Sequence, residues 1–92
     1  MSAKAEIGWR RTAEDGQAYH VYARRFGAAW RFFERQRRYE PWRTIESPGL
    51  EDWLELLAAV RRRVQRRLVP PAEADRLRQR ICELFPEATV DA

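Results

Sequence analysis

Serine, cysteine and histidine side chains, the usual nucleophiles and bases, are few in this chain and scattered along it. His20 is its only histidine and Cys82 its only cysteine. Neither has a second His or Cys at ligand spacing, so a zinc site has no basis. Covalent catalysis needs a nucleophile, a base and a group that orients the base. Ser2, Ser47 and Cys82 fall in a tail, a helix cap and a helix, so none forms such a set with His20. His20 therefore reads as an ordinary, partly exposed strand residue. Cys82 follows the core position Ile81 near a helix C-terminus, where the dipole has the wrong sign to activate a thiol. Glu51, Asp52 and Glu55 crowd the start of one helical stretch, and Glu73 and Asp75 the start of another. The helix dipole favours negative charge at both places. Gly8, Gly16, Gly27 and Gly49 are isolated, so no glycine-rich phosphate loop is present. These patterns predict a non-catalytic protein with no metal, no cofactor and no small-molecule substrate.

What remains is arginine and aromatic rings. Of 18 basic residues only Lys4 is lysine, the net charge is +4, and the aromatic fraction is 12%. Trp9, Tyr19, Tyr22, Phe26, Trp30, Phe32, Phe33, Tyr39 and Trp42 all lie in the first half. A GC-rich genome also explains an arginine excess, but the field of those charges is the same whatever its origin. A planar guanidinium recognises carboxylate and phosphate alike.

The elements that position these groups follow from periodicity. Ile7, Trp9 and Arg11 alternate with Gly8, Arg10 and Thr12, which predicts a first strand from Glu6 to Thr12. Asp15-Gly16 is a hairpin signal; a three-residue loop Glu14-Asp15-Gly16, with Gly16 left-handed, places Trp9 opposite Val21 and Ile7 opposite Ala23. Gln17–Phe26 is the second strand. A Gly27-Ala28 turn then sets Phe26 beside Ala29, Phe32 beside Ala23 and Glu34 beside Val21, with the third strand running to Arg37. Pro41 interrupts; the meander has three strands, or four if Trp42–Glu46 adds a short one at an edge.

Ser47 as N-cap and Pro48 at the first helical position predict a helix start. Leu50, Trp53, Leu54, Leu57, Val60, Val64 and Leu68 form its apolar stripe. Val69-Pro70-Pro71 ends it and begins a second helix with stripe residues Ala74, Leu77, Ile81, Leu84 and Phe85, stopped by Pro86. The expectation is a single α+β domain over 1–92: a meander over 6–46, helix one over 47–69, helix two over 70–86 and a polar tail over 87–92. Residues 1–5 read as a frayed end. The two helices should pack on one sheet face, with Trp9, Tyr19, Val21, Trp30, Phe32, Trp53, Leu54, Leu57, Val64, Leu77, Ile81 and Leu84 dominating the core.

The other sheet face then carries Arg10, Thr12, His20, Tyr22, Arg24, Arg31, Phe33, Arg35 and Arg37. Its candidate binding residues are Tyr22, Arg24, Arg31, Phe33, Arg35 and Arg37, joined by Trp42. Arg61, Arg62, Arg63, Arg66 and Arg67 form a secondary basic cluster at the end of helix one, where cations complement the dipole. Two functions compete for the face. Tyr, Trp, Phe and Arg are enriched at protein interfaces, which favours an adaptor or a self-associating domain. Arginines on phosphates with bases stacked on rings would instead bind RNA or DNA, although no nucleic-acid signature motif accompanies them. No apolar run approaches a signal sequence or a membrane span, so no membrane partner and a cytoplasmic location are expected.

Overall fold

The computed structural model describes residues 6–27 and 29–90. The expected frayed end at 1–5, the turn residue Ala28 and the last two positions of the polar tail lie outside the described residues. The fold is α+β: β1 (Glu6–Thr12), β2 (Ala18–Phe26), β3 (Ala29–Arg35) and β4 (Arg43–Ile45) precede α1 (Leu50–Gln65) and α2 (Pro71–Leu84). The strands form one antiparallel meander in the order β1-β2-β3-β4. The chain divides into two compact units, Met1–Pro48 and Gly49–Ala92.

In the first unit, turn chemistry sets the register. Ala13 N–H donates to the Gln17 carbonyl at 2.7 Å, and Gly16 N–H donates to the Ala13 carbonyl at 2.9 Å. Gly16 has φ 86°, a left-handed conformation that glycine adopts without steric cost. Asp15 Oδ1 accepts from the Gln17 N–H at 3.0 Å. The loop Glu14–Gly16 thus closes as a turn plus a left-handed residue, and Trp9 pairs with Val21 and Ile7 with Ala23. Gly27, with φ 64°, reverses the chain again. Phe26 then pairs with Ala29, Ala23 with Phe32 and Val21 with Glu34. The pairs Phe32–Ile45 and Phe33–Thr44 add β4 at an edge.

Because side chains alternate along a strand, this register sorts residues onto two faces. One carries the buried Ile7, Val21, Ala23 and Phe32. Trp9 meets Phe32 edge-on, with centroids 6.0 Å apart. Arg11 and Glu34 also lie on this face and form an ion pair across β2, with Arg11 set over the Tyr19 ring.

Strand β3 stops at Arg35 rather than Arg37. Glu40 is the cause: its Oε1 accepts from the N–H groups of Gln36 and Arg37, both at 3.2 Å, and its own N–H donates to the Arg37 carbonyl at 3.0 Å. These bonds fold residues 36–40 into a turn and take Arg37 out of the strand.

In the second unit, α1 is shorter than its stripe implies. Its N-cap is Gly49 rather than Ser47; Gly49 is extended, and its carbonyl accepts from the Trp53 N–H at 3.2 Å. Beginning after Gly49 keeps glycine, a poor helix former, out of the first turn and leaves Pro48 before the cap. The C-terminus closes at Arg66. Arg67 N–H donates to the Val64 carbonyl at 2.9 Å and Leu68 N–H to the Arg63 carbonyl at 2.8 Å, a Schellman closure. The residue this closure holds left-handed is Arg67, with φ 63°. Helix α2 begins with Pro71 inside its first turn and ends before Phe85, whose N–H donates to the Ile81 carbonyl at 2.8 Å.

The buried stripe of α1 is Asp52, Trp53, Leu56, Leu57, Ala59 and Val60, and that of α2 is Leu77 and Ile81. This corrects the expected core. Leu56 is fully buried, whereas Leu54 is 37% exposed and Leu84 also faces solvent. Trp9, Tyr19, Trp30 and Val64 are half-buried. Leu54 sits about 100° around the helix from Trp53, on the flank of a stripe centred on 53, 56, 57 and 60.

Candidate functional site

The second sheet face holds most of the candidate residues together. Pairing places Gly8, Tyr22, Phe33 and Thr44 in one row across all four strands, because paired residues point to the same side. The row Arg10, His20, Arg35 flanks it on one side, and Glu6, Arg24, Arg31 on the other. Beyond Arg24, Phe26 and Ala29 close the hairpin end.

The rings in the centre touch one another. Tyr22 stacks on Phe33 with centroids 4.8 Å apart and planes 21° apart. Trp42, just before β4, meets Tyr22 edge-on at 4.6 Å and 86°. The arginines cover ring faces. The Arg35 guanidinium lies 4.1 Å from the Trp42 centroid, and its Nη1 donates to the Glu40 carbonyl at 3.3 Å. Its Nε is buried without a hydrogen-bond partner. Arg24 and Arg31 both approach Phe26, at 5.5 and 5.3 Å. Arg24 also faces Glu6 at 3.8 Å, an exposed contact of little energetic weight. Tyr22, Arg24, Phe33 and Arg35 are half-buried, and Arg31, Phe26 and Trp42 are exposed.

Six of the candidate residues, Tyr22, Arg24, Arg31, Phe33, Arg35 and Trp42, therefore share one surface. Arg37 does not sit in the strand with them; it lies in the turn after β3, with Nη1 3.5 Å from the Tyr39 hydroxyl. Sequence reasoning missed Phe26 as the ring shared by Arg24 and Arg31. The signal was present: Phe26 follows Tyr22 and Arg24 at spacing two, and so points to the same side.

The secondary cluster belongs to the second unit. Arg61, Arg62 and Arg63 lie in the last turns of α1, whereas Arg66 is its C-cap and Arg67 the left-handed residue after it. Arg62, Arg66 and Arg67 are exposed, and Arg61 and Arg63 half-buried. His20 is half-buried between Arg10 and Arg35, and Cys82 is half-buried on α2. Among the described residues no group of three or more His, Cys, Asp or Glu is placed to hold a metal ion. No described helix is long and apolar enough to cross a membrane.

No protein family, curated protein or solved structure matches this chain.

Proposed function

We propose that this protein is a non-catalytic binding module whose arginine–aromatic sheet face docks an acidic segment of a protein partner. The observation that carries the reading is the occupancy of the ring faces. Arg35 covers Trp42, Arg24 and Arg31 lie against Phe26, and Tyr22 and Phe33 stack on each other. Rings so engaged offer edges and a rigid apolar floor rather than open faces for base stacking. The arginines around them are held in place by the rings and keep donors free for carboxylates, a preorganisation that lowers the entropic cost of docking. Charge distribution supports the same direction. The unit Met1–Pro48 carries ten basic and six acidic side chains, so the whole net charge of +4 resides in it. Two such faces would repel each other, which argues against a second copy as the occupant of this surface.

The test is a titration of the isotope-labelled protein with a poly-glutamate peptide and, separately, with short single- and double-stranded oligonucleotides, at low and moderate salt. Saturable amide shifts at Tyr22, Arg24, Arg31 and Phe33 with the peptide, weakening with salt, are expected. Absence of shifts at these positions with the peptide at low salt overturns the reading. Tighter oligonucleotide binding on the same residues overturns it in favour of a nucleic-acid module.

A further inference from the structure

The two edges of the sheet are unlike. Strand β4 has three residues and Pro41 close before it, a guarded edge. Strand β1 has seven residues, contains no proline and, among the described residues, is paired on one side only. The Ala13–Gln17 hydrogen bond sets the phase of the ladder. By the alternation of an antiparallel pair, the backbone groups of Arg11, Trp9 and Ile7 turn toward β2. Those of Glu6, Gly8, Arg10 and Thr12 turn out of the edge, and all four of these residues are exposed.

We infer that β1 pairs antiparallel with β1 of a second copy, about a two-fold axis at Gly8. The edge sequence is complementary to itself in this register alone. With the axis at Gly8, Glu6 of each copy faces Arg10 of the other, giving two opposite-charge pairs. Ile7 faces Trp9, which continues the apolar face across the seam. Moving the axis to Trp9 sets Gly8 against Arg10 and Glu6 against Thr12, and no charges pair. Moving it to Arg10 opposes like charges, which is destabilising. The outward phase permits this register, because Gly8, Glu6 and Arg10 all direct their backbone groups across the seam, and the charges select it among the registers the phase allows.

Gly8 has a second part in the seam. A Cβ there would lie 3.4 Å from the Val21 carbonyl oxygen and 3.8 Å from the Tyr22 Cβ. Its absence leaves the seam free of side chains at the axis, so the two backbones can meet there without a clash. Strands joined about such an axis keep like faces on one side. The dimer therefore presents two arginine–aromatic faces as one eight-stranded surface. This contact uses the edge and not that face, so it stands or falls independently of the acidic-partner reading.

The experiment is sedimentation of the full chain from micromolar to millimolar concentration. The wild type is expected to rise from its 11.0 kDa chain mass toward twice that value. Glu6→Arg and Arg10→Glu each place like charges across the axis and should stay at chain mass, while an equimolar mixture of the two regains the dimer. A wild type that remains at chain mass throughout, or single variants that dimerise as it does, overturns the proposal. A cross-link guards against variants that fail to fold. In a Cys82→Ser background, Gly8→Cys brings two cysteines to a Cα separation of about 5.5 Å across the axis. It should oxidise to a covalent dimer, whereas Thr12→Cys should not; equal cross-linking of both also overturns the register.

Discussion

The sheet unit and the helical unit use the same residue type in opposite ways. In the sheet, arginines alternate at spacing two and rest on rings, with Arg35 over Trp42 and Arg24 and Arg31 against Phe26. In the helices, charges are balanced along the element: α1 begins with Glu51 and Asp52 and ends with Arg62 and Arg63. On α2, Arg76 pairs with Glu73 at 2.7 Å and Arg80 with Glu83 at 3.5 Å, both at spacing three. The helical unit carries eight basic and eight acidic side chains and so has no net charge. On α2, Arg76 and Arg80 each meet a carboxylate on their own helix, and the charges of the unit as a whole cancel. On the sheet, Arg11 meets Glu34 and Arg24 faces Glu6, but Arg24, Arg31 and Arg35 also lie against rings, and the unit keeps its excess of positive charge.

The comparison can be broken most forcefully at the buried centre of each unit. Phe32→Ala in the sheet should cost about 3–5 kcal/mol and Leu56→Ala in α1 about 2–5 kcal/mol, both read by urea denaturation. An effect at Leu56 no larger than that of Leu54→Ala, expected below about 1 kcal/mol, would return the core of α1 to the stripe read from its sequence. Arginine removal tests the charge contrast directly. Arg35→Ala should weaken poly-glutamate binding about tenfold at low salt, and Arg62→Ala less than about twofold, by titration. Equal losses would erase the distinction between the two units. A smaller effect, of opposite sign, is expected at the end of α1: Arg67→Gly should stabilise by about 1 kcal/mol, since glycine accepts the left-handed conformation that arginine adopts under strain. Thermal unfolding checks it, and destabilisation would mean that the Arg67 side chain contributes more than its backbone costs. Smallest of all, Arg76→Ala should change stability by only about 0.2–0.5 kcal/mol, because its side chain is 68% exposed.

The sheet was the more legible region, for a local reason. Asp15-Gly16 and Gly27 each specify a turn, and a turn of known length leaves one register, from which the pairs Ile7–Ala23 and Ala23–Phe32 follow. The residues sharing a face then follow by parity. The end of β3 was not legible, because it depends on Glu40 folding back onto the N–H groups of Gln36 and Arg37. Helix α1 was read with a true period and a wrong centre. Leu50, Leu54, Leu57 and Leu68 outnumber the alanines and draw a stripe by eye, but Ala59 is buried and Leu68 is 66% exposed. Ser47-Pro48 carried a start signal that the chain uses two residues later, at Gly49. The burial of Asp52 had no sequence signal beyond its place in the first turn. The candidate face was legible except for Phe26 and Arg37, the first passed over although parity places it there and the second misplaced by the strand end.

The meander order has a consequence for how the protein is made. Each strand pairs only with its neighbours in sequence, so every closure in the sheet spans a turn or a short loop and never a distant segment. The entropy lost at each closure is small, and formation can proceed hairpin by hairpin at the rates of local structure. Synthesis runs from the N-terminus, so β1 to β4 leave the ribosome before α1 does. The aromatic half of the chain, the half with most to lose by lingering unpaired, is the half that can pair first.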